Sequence, residues 1–369
     1  MTPKLKKLKD QVIVITGASS GIGLVTARMA AEKGARLVLA ARSEDALREL
    51  AHEIEQKGGE ATYVVADVSR QQDVHNIARK ALQRFGGFDT WINDAGVSIY
   101  GKLTDIPIED MRKLFETNVW GVVYGSLEAV KHLRQHGGVI INVGSILSES
   151  TAILQGIYSA SKHAVKGFTD GLRMELSLDE LPIAVTLIKP AAIDTPYTLH
   201  AKNYMEREAK HAPPAYAPET VARAILHCCE TPEREITVGG GGKMITGMAH
   251  WAPGLHDSFM ENVFVKQEKA DYAPRPLAQN GLDRASGSLQ ERGNYPGHTR
   301  ETSYYTEAST SKPILRTALA VGAGLALVSL LGRTKKGNGY TTEGGNGHQE
   351  KANIDTQFTY PTEPNPSVH

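Results

Sequence analysis

Apolar residues 12–15 run without a break into Thr16, Gly17, Ala18, Ser19, Ser20, Gly21, Ile22 and Gly23, and then into the helical sequence LVTARMAAEKG. A β-branched strand, a glycine turn and a helix in immediate succession leave a chain very few folds. Glycines at 17, 21 and 23 permit a tight turn and close backbone approach, and the first helical turn has unpaired amides to offer an anion. The unit reads as a phosphate cradle.

The same alternation continues down the chain. Short β-branched runs recur at 36–40, 61–66, 89–93, 138–145 and 183–190, with a brief last one at 236–238, and the intervals are long enough for crossover helices. Parallel strands require such crossovers, which are right-handed almost without exception. The fold class is therefore α/β, a Rossmann-type doubly wound parallel sheet with helices on both faces. The turn is spaced GxxxGxG, not GxGxxG, so its weight comes from this βαβ setting more than from the glycines themselves.

Charge excludes some functions. The chain has 41 Lys+Arg against 41 Asp+Glu and a formal net charge of zero, so no global field draws it to nucleic acid or an anionic membrane. Lys4, Lys6, Lys7 and Lys9 form a local basic cluster, read as a solvated lead-in to the first strand. Cys228 and Cys229 are adjacent, which rarely meets disulfide geometry, and they read as buried helix residues. No apolar stretch long enough for a signal sequence follows the charged N-terminus, so the main body reads as cytoplasmic. The 13 histidines show no metal-ligand spacing, and no metal is expected.

Beyond residue 245 the character changes. Residues 246–312 read as a pocket-flanking segment and a flexible linker, because 270–312 is rich in Pro, Gly, Ser, Gln and charge with little periodicity. Residues 313–333 are apolar: the uninterrupted part, 317–332, would span about 24 Å as a helix, against a hydrocarbon core of about 30 Å. With Ile314, Leu315 and a snorkelling Arg316 it approaches spanning length, and it reads as a membrane anchor, an interfacial helix or a docking helix being the alternatives. Residues 334–369 form a polar tail, expected to be disordered.

Tyr158 and Lys162 stand four apart in YSASK, so on a helix the phenol and the ammonium share one face. A phenol has a reference pKa of about 10, and drawing it to about 7 requires roughly 4 kcal/mol of preference for the phenolate. A neighbouring lysine in a partly desolvated cleft supplies much of that. Arg42 ends the second strand, where no carboxylate stands at Ala40 or Ala41. A guanidinium there accepts a ribose 2′-phosphate, which favours NADP over NAD, the alternative being a solvated loop residue.

The chain resembles the short-chain dehydrogenase/reductase family over roughly residues 8–245. The motifs are TGASSGIG at 16–23, Asp67 in ADV, NDAG at 93–96, Asn118 in TNV, Ser145 in VGS, YSASK at 158–162 and KPAAIDTP at 189–196. The resemblance implies a dinucleotide-binding and catalytic domain over residues 1–245. It places Asp67 and Val68 against the adenine, lines the cofactor with Asn93, Ala95 and Gly96, and sets Pro190, Ile193 and Thr195 toward the nicotinamide end. Tyr158 would be the proton donor or acceptor, Ser145 would hold the substrate oxygen, Lys162 would hold the nicotinamide ribose and lower the tyrosine pKa, and Asn118 would support a water relay. Standing alone, Asn118 reads equally well as a satisfied buried amide. The partners implied are a small-molecule substrate and a second copy of the chain, as a homo-dimer or homo-tetramer.

Two positions depart from the pattern: Asp94 stands where a second asparagine is common, and Ala191 where a glycine commonly follows the proline. GGGGK at 239–243 lacks the remaining residues of a nucleoside-triphosphate loop, Thr237 and Met244 standing in their places. Leu147, Ile153, Leu154 and Ile157 suggest an apolar pocket and hence a hydrophobic alcohol, aldehyde or ketone. The competing reading is a membrane-tethered NADP-binding sensor or scaffold; an epimerase or dehydratase is disfavoured by the lack of a large C-terminal substrate domain.

Overall fold

Seven parallel strands set the frame. They are β1 (Val12–Thr16), β2 (Arg36–Ala41), β3 (Ala61–Val65), β4 (Thr90–Asn93), β5 (Gly138–Val143), β6 (Ile183–Pro190) and β7 (Glu235–Val238). In space they run β7-β6-β5-β4-β1-β2-β3, so the order reverses between β1 and β4. A computed structural model of the chain describes residues 3–293 and 295–311, all of them within one compact unit.

β1 and β6 are buried along their whole length, as expected for strands covered on both faces. The crossover helices supply the two covers. α1 (Gly21–Glu32), α2 (Glu44–Gln56) and α8 (Pro218–Glu230) pack on one face, where Ile13, Ile15, Leu37, Leu39, Leu47 and Ile225 form one core. α3 (Gln71–Phe85), α5 (Gly121–His136) and α6 (Gly156–Leu178) cover the other, around Val14, Val38, Ile77, Trp91, Leu133 and Leu172. α4 (Ile108–Phe115) leads into α5 through a π-turn at Glu116–Trp120, and the short α7 (Tyr197–His200) follows β6. Cys228 and Cys229 are buried on α8.

Because all seven strands are parallel, their carboxyl ends share one edge of the sheet: Thr16 pairs with Asn93, Asn93 with Asn142, and Val143 with Ile188. The loops leaving that edge meet at the order reversal, where ligands bind in open α/β sheets.

The stretch after residue 245 corrects the sequence reading. α9 (Gly240–Trp251) and α10 (Pro253–Phe259) continue through a second π-turn at Met260–Phe264. Residues 270–311 are not a linker but an extended cover. The Ala270 amide donates to Glu208 O, the Arg275 guanidinium donates to the Glu208 carboxylate and to the carbonyls of Thr198 and Leu199, and Thr299–Arg300 pairs with Ala215–Tyr216. Backbone groups satisfied by the main body need no side-chain periodicity of their own, which is why composition alone suggested a linker. The apolar segment 313–333 and the tail 334–369 lie outside the described residues. Among the described residues no helix is long and apolar enough to cross a membrane.

Candidate active site

A single continuous cavity follows the carboxyl edge of the sheet, from the glycine turn over Tyr158 and Lys162 to Phe264 and Glu268. At its first end, Gly17 (φ +77°) and Gly21 (φ +53°) adopt backbone conformations that favour glycine. A Cβ on Gly17 would fall 2.8 Å from Ala95 N, and one on Gly23 would fall 2.4 Å from Gly17 O. Ser20 precedes α1 with extended backbone and makes no side-chain cap, which leaves the helix N-terminus to other partners. This cradle fits a dinucleotide.

Most of the expected residues reach the cavity. Gly17, Ser19, Ser20, Gly21 and Ile22 line the turn; Arg42, Asp67 and Val68 line the region beyond β2 and β3; and Ala95, Gly96, Pro190, Ile193 and Thr195 line the middle. Ser145, Tyr158 and Lys162 converge on its floor. Ser145 caps a short helical turn, its Oγ accepting from Leu147 N at 3.1 Å. Tyr158 and Lys162 lie in the first two turns of α6, one above the other.

Four expected residues sit behind the wall. Thr16 Oγ1 accepts from the amides of Asp94 (3.2 Å) and Ala95 (3.3 Å), and Gly23 supports Gly17 from behind. Asn93 is buried and does not line the cavity: its Oδ1 accepts from Trp91 Nε1 (2.8 Å), and its Nδ2 donates to Asn142 Oδ1 (2.8 Å) and Ser126 Oγ (3.1 Å). The Asn118 side chain is a satisfied buried amide, with Oδ1 accepting from Val97 N (2.8 Å) and Nδ2 donating to Val97 O (2.9 Å) and Ser161 Oγ (3.2 Å). Its Oδ1 keeps a second lone pair, and its π-turn backbone is of a kind often found at functional sites. Of the four apolar residues expected at the pocket, Leu147 lines it; Ile153, Leu154 and Ile157 do not, and Ile146, Ile245 and Phe264 take their place.

The electrostatics differ from the simple expectation. Burial pushes Tyr158 up to about 12, against hydrogen bonds from Tyr197 and Ser145, and the charge of Asp94 adds to the rise. Burial lowers Lys162 to about 8, with Asp94 acting the other way. Lys162 Nζ donates to Val143 O at 2.9 Å and stands 5.6 Å from the centroid of the Tyr158 ring. Asp94, the departure noted in NDAG, is itself raised to about 7 by burial, Lys162 and the Gly23 amide opposing.

Sequence reasoning missed a polar cluster at the far end. The Tyr197 hydroxyl lies 2.7 Å from Ser98 Oγ and 2.9 Å from Gln155 Oε1, and also bonds Tyr158. Gln155 Nε2 donates to Glu268 Oε1, while Glu268 Oε2 is buried without a protein partner. Burial raises Glu268 to about 8. Tyr197 directly follows the KPAAIDTP motif and could have been found there; Gln155 and Glu268 carry no local signal.

Known proteins agree with this arrangement. A family model described as short chain dehydrogenase matches residues 11–206. The chain belongs to the short-chain dehydrogenase family. The uncharacterized oxidoreductase YxnA of Bacillus subtilis (strain 168) is 47% identical over 86% of this chain and 90% of its own length. An uncharacterized oxidoreductase of Staphylococcus aureus (strain MRSA252) is 34% identical over 63% of this chain and 97% of its own. Among solved structures, a short-chain dehydrogenase/reductase from Burkholderia phymatum in complex with NAD is 26% identical with a TM-score of 0.59, over 74% of this chain and 99% of that one. An alcohol dehydrogenase from Thermococcus sibiricus complexed with 5-hydroxy-NADP is 28% identical with a TM-score of 0.55, over 62% and 95%. As a short-chain dehydrogenase, the chain is an NAD(P)-dependent oxidoreductase, and its cavity holds both the cofactor cradle and the tyrosine, lysine and serine set.

Proposed function

We propose that this enzyme interconverts an alcohol and the corresponding aldehyde or ketone, with Tyr158 as general acid and base. The observation that carries this reading is the convergence of Tyr158, Ser145 and Lys162 on one stretch of a cavity that begins at the glycine turn. A bound nicotinamide supplies or accepts the hydride. In reduction Tyr158 gives its proton to the developing alkoxide; in oxidation its phenolate takes one, and Ser145 and Tyr197 donate toward the oxygens that carry the charge. Lys162 holds a positive charge near the phenol and would hold the nicotinamide ribose. Arg42 lines the adenosine end, where its guanidinium is the group a 2′-phosphate of NADP would meet.

The substrate we infer is a hydrophobic carbonyl compound or alcohol with one polar atom beyond the reacting carbon. Ile146, Leu147, Ile245 and Phe264 supply the apolar walls, and Glu268 with its unpartnered oxygen meets the polar atom. A sensor would have no use for the acid/base set, which argues against that reading.

The test compares Tyr158→Phe with the parent, using NADPH and NADH with aliphatic aldehydes, ketosteroids and quinones. Turnover should fall by roughly 10²- to 10⁴-fold with cofactor affinity retained. Equal turnover in the two proteins, or activity confined to small polar sugars, overturns the reading. Membrane contact through residues 313–333 rests on sequence alone; fractionating the full chain against a version ending before Pro313 tests it, and an unchanged soluble distribution refutes it.

A further inference from the structure

Several polar groups at the adenosine end of the cleft are bonded to the chain's own residues 281–290. The amide of Gly21, first residue of α1, donates to Gln290 O at 2.9 Å, and the Leu289 amide donates to Ser19 O at 3.1 Å. Ser43 Oγ donates to Gly287 O at 3.0 Å. Arg42, a cation placed for a ribose 2′-phosphate, donates through Nη2 to the carbonyls of Gly281 and Arg284, the latter at 3.0 Å.

Residues 281–290 thus cross the cleft as a strap, and Gly281, Ala285, Ser286 and Gly287 form part of the cavity wall. Contact at the crossing is close: a Cβ on Gly287 would fall 2.1 Å from Ser19 Oγ and 2.5 Å from Ser19 Cβ. Both ends are fastened. On one side Asp283 pairs with Lys113 (2.7 Å) and Lys202 (2.8 Å), and the Gly281 amide donates to His200 O at 2.6 Å. On the other, Glu291 pairs with Arg28 (2.6 Å), Arg292 with Glu219 (2.9 Å), and the Gly293 amide donates to Asp194 Oδ1 (3.1 Å).

We propose that the 281–290 strap is a cofactor-selecting wall of the dinucleotide site, competing with the 2′-phosphate of NADP for Arg42 while accommodating the ribose of NAD. The inference rests on the dinucleotide reading of the cleft. Two neutral carbonyls occupy the guanidinium. A phosphate binds it through charge-assisted, bidentate bonds that are stronger, so a 2′-phosphate displaces them and frees the strap on that side. A ribose hydroxyl is a donor as well as an acceptor, and it can bond to a strap carbonyl with the strap in place. NADP therefore binds against the closure of the strap and NAD binds beneath it.

The test uses the full-length protein with saturating NADP or NAD, following hydrogen exchange at the amides of Gly281 and Leu289. NADP should speed exchange at these amides several-fold over the NAD complex. Dissociation constants from reduced-cofactor fluorescence, measured for the parent and Gly287→Val, give a second readout. Valine lifts the strap off Ser19, and the ratio of NADPH to NADH affinity should move about tenfold toward NADPH. Equal protection by both cofactors in the parent, or an unchanged ratio in the variant, overturns the strap proposal alone. Failure of the parent to bind either dinucleotide overturns the site reading with it. Should the variant not fold, the exchange comparison in the parent still decides.

Discussion

Asp94 and Lys162 line the same cleft, and each sustains the other's charge: the ammonium opposes the rise that desolvation imposes on the carboxyl, and the carboxyl opposes the fall that desolvation imposes on the ammonium. The carboxylate also acts against a phenolate at Tyr158, which burial already disfavours. A residue that looks like a minor departure in NDAG therefore sits among the acid/base groups.

Asp94→Asn removes that negative charge while keeping the side-chain volume. The tyrosine should then ionise more readily, moving the pH profile of alcohol oxidation down by roughly one unit, the size expected for one charge acting across a partly desolvated cleft. The profile of kcat/KM against pH checks it. An unmoved profile would mean that Asp94 is neutral throughout, its carboxyl silenced by burial.

Tyr197→Phe should act in the opposite direction. Its hydroxyl bonds Tyr158 and works against the effect of burial, so its loss raises the phenol further. We expect kcat for oxidation at pH 7 to fall about 5- to 20-fold and the profile to shift upward, with NADPH affinity unchanged. A fall in affinity in place of the pH shift would assign Tyr197 to packing.

Lys189 is buried on β6, its ammonium 2.7 Å from both Glu149 and Glu235. Replacing it by alanine leaves two half-buried carboxylates facing each other without a cation, at a cost of about 2–4 kcal/mol. Lys189→Met, which keeps the stem but not the charge, should lose about as much, because the uncompensated carboxylates and not the lost packing dominate. Urea unfolding of the three proteins measures the difference, and a methionine variant restored to parental stability would reverse that assignment.

What the sequence made legible follows from periodicity and local chemistry. The seven strands, the glycine turn and the YSASK helix are each encoded within a few residues, so their positions in the fold were readable. Asn93 and Asn118 were readable as important but not as to how. Both lie in motifs that point to the cofactor, while their side-chain amides also bond within the core, to Trp91, Ser126 and Asn142 in one case and to Val97 and Ser161 in the other. Glu268 and the strap were invisible because their partners, Gln155, Ser19 and Arg42, are more than a hundred residues away, and an extended chain bonded through its backbone leaves no pattern in its side chains.

Gly125 shows how tightly the Asn93 network is built. A Cβ there would fall 2.1 Å from Asn93 Oδ1 and 2.7 Å from Trp91 Nε1. Gly125→Ala should therefore destabilise by about 1–3 kcal/mol through forced displacement, despite alanine's better helix propensity. Thermal unfolding monitored by tryptophan fluorescence tests this, and a variant as stable as the parent would show that the amide network can shift at little cost.

Asp283 fastens the strap, and its two lysine bonds hold its carboxyl far below the usual carboxylate range. A carboxylate with a depressed folded pKa contributes stability that is complete above its unfolded value, near 4, and is lost progressively as pH falls from there through the folded value. The anchor should therefore be fully in place at neutral pH and persist into strong acid. Asp283→Asn keeps the shape but leaves Lys113 and Lys202 without that carboxylate, and Lys202 then leans on Asp110 alone. At pH 7 the variant should show hydrogen exchange at the Gly281 amide at least ~10-fold faster, as loss of two charge-assisted bonds implies. In the parent that rate, corrected for the intrinsic pH dependence of exchange, should stay flat from pH 8 down to about pH 4. A rise already at pH 6 would place the controlling group elsewhere.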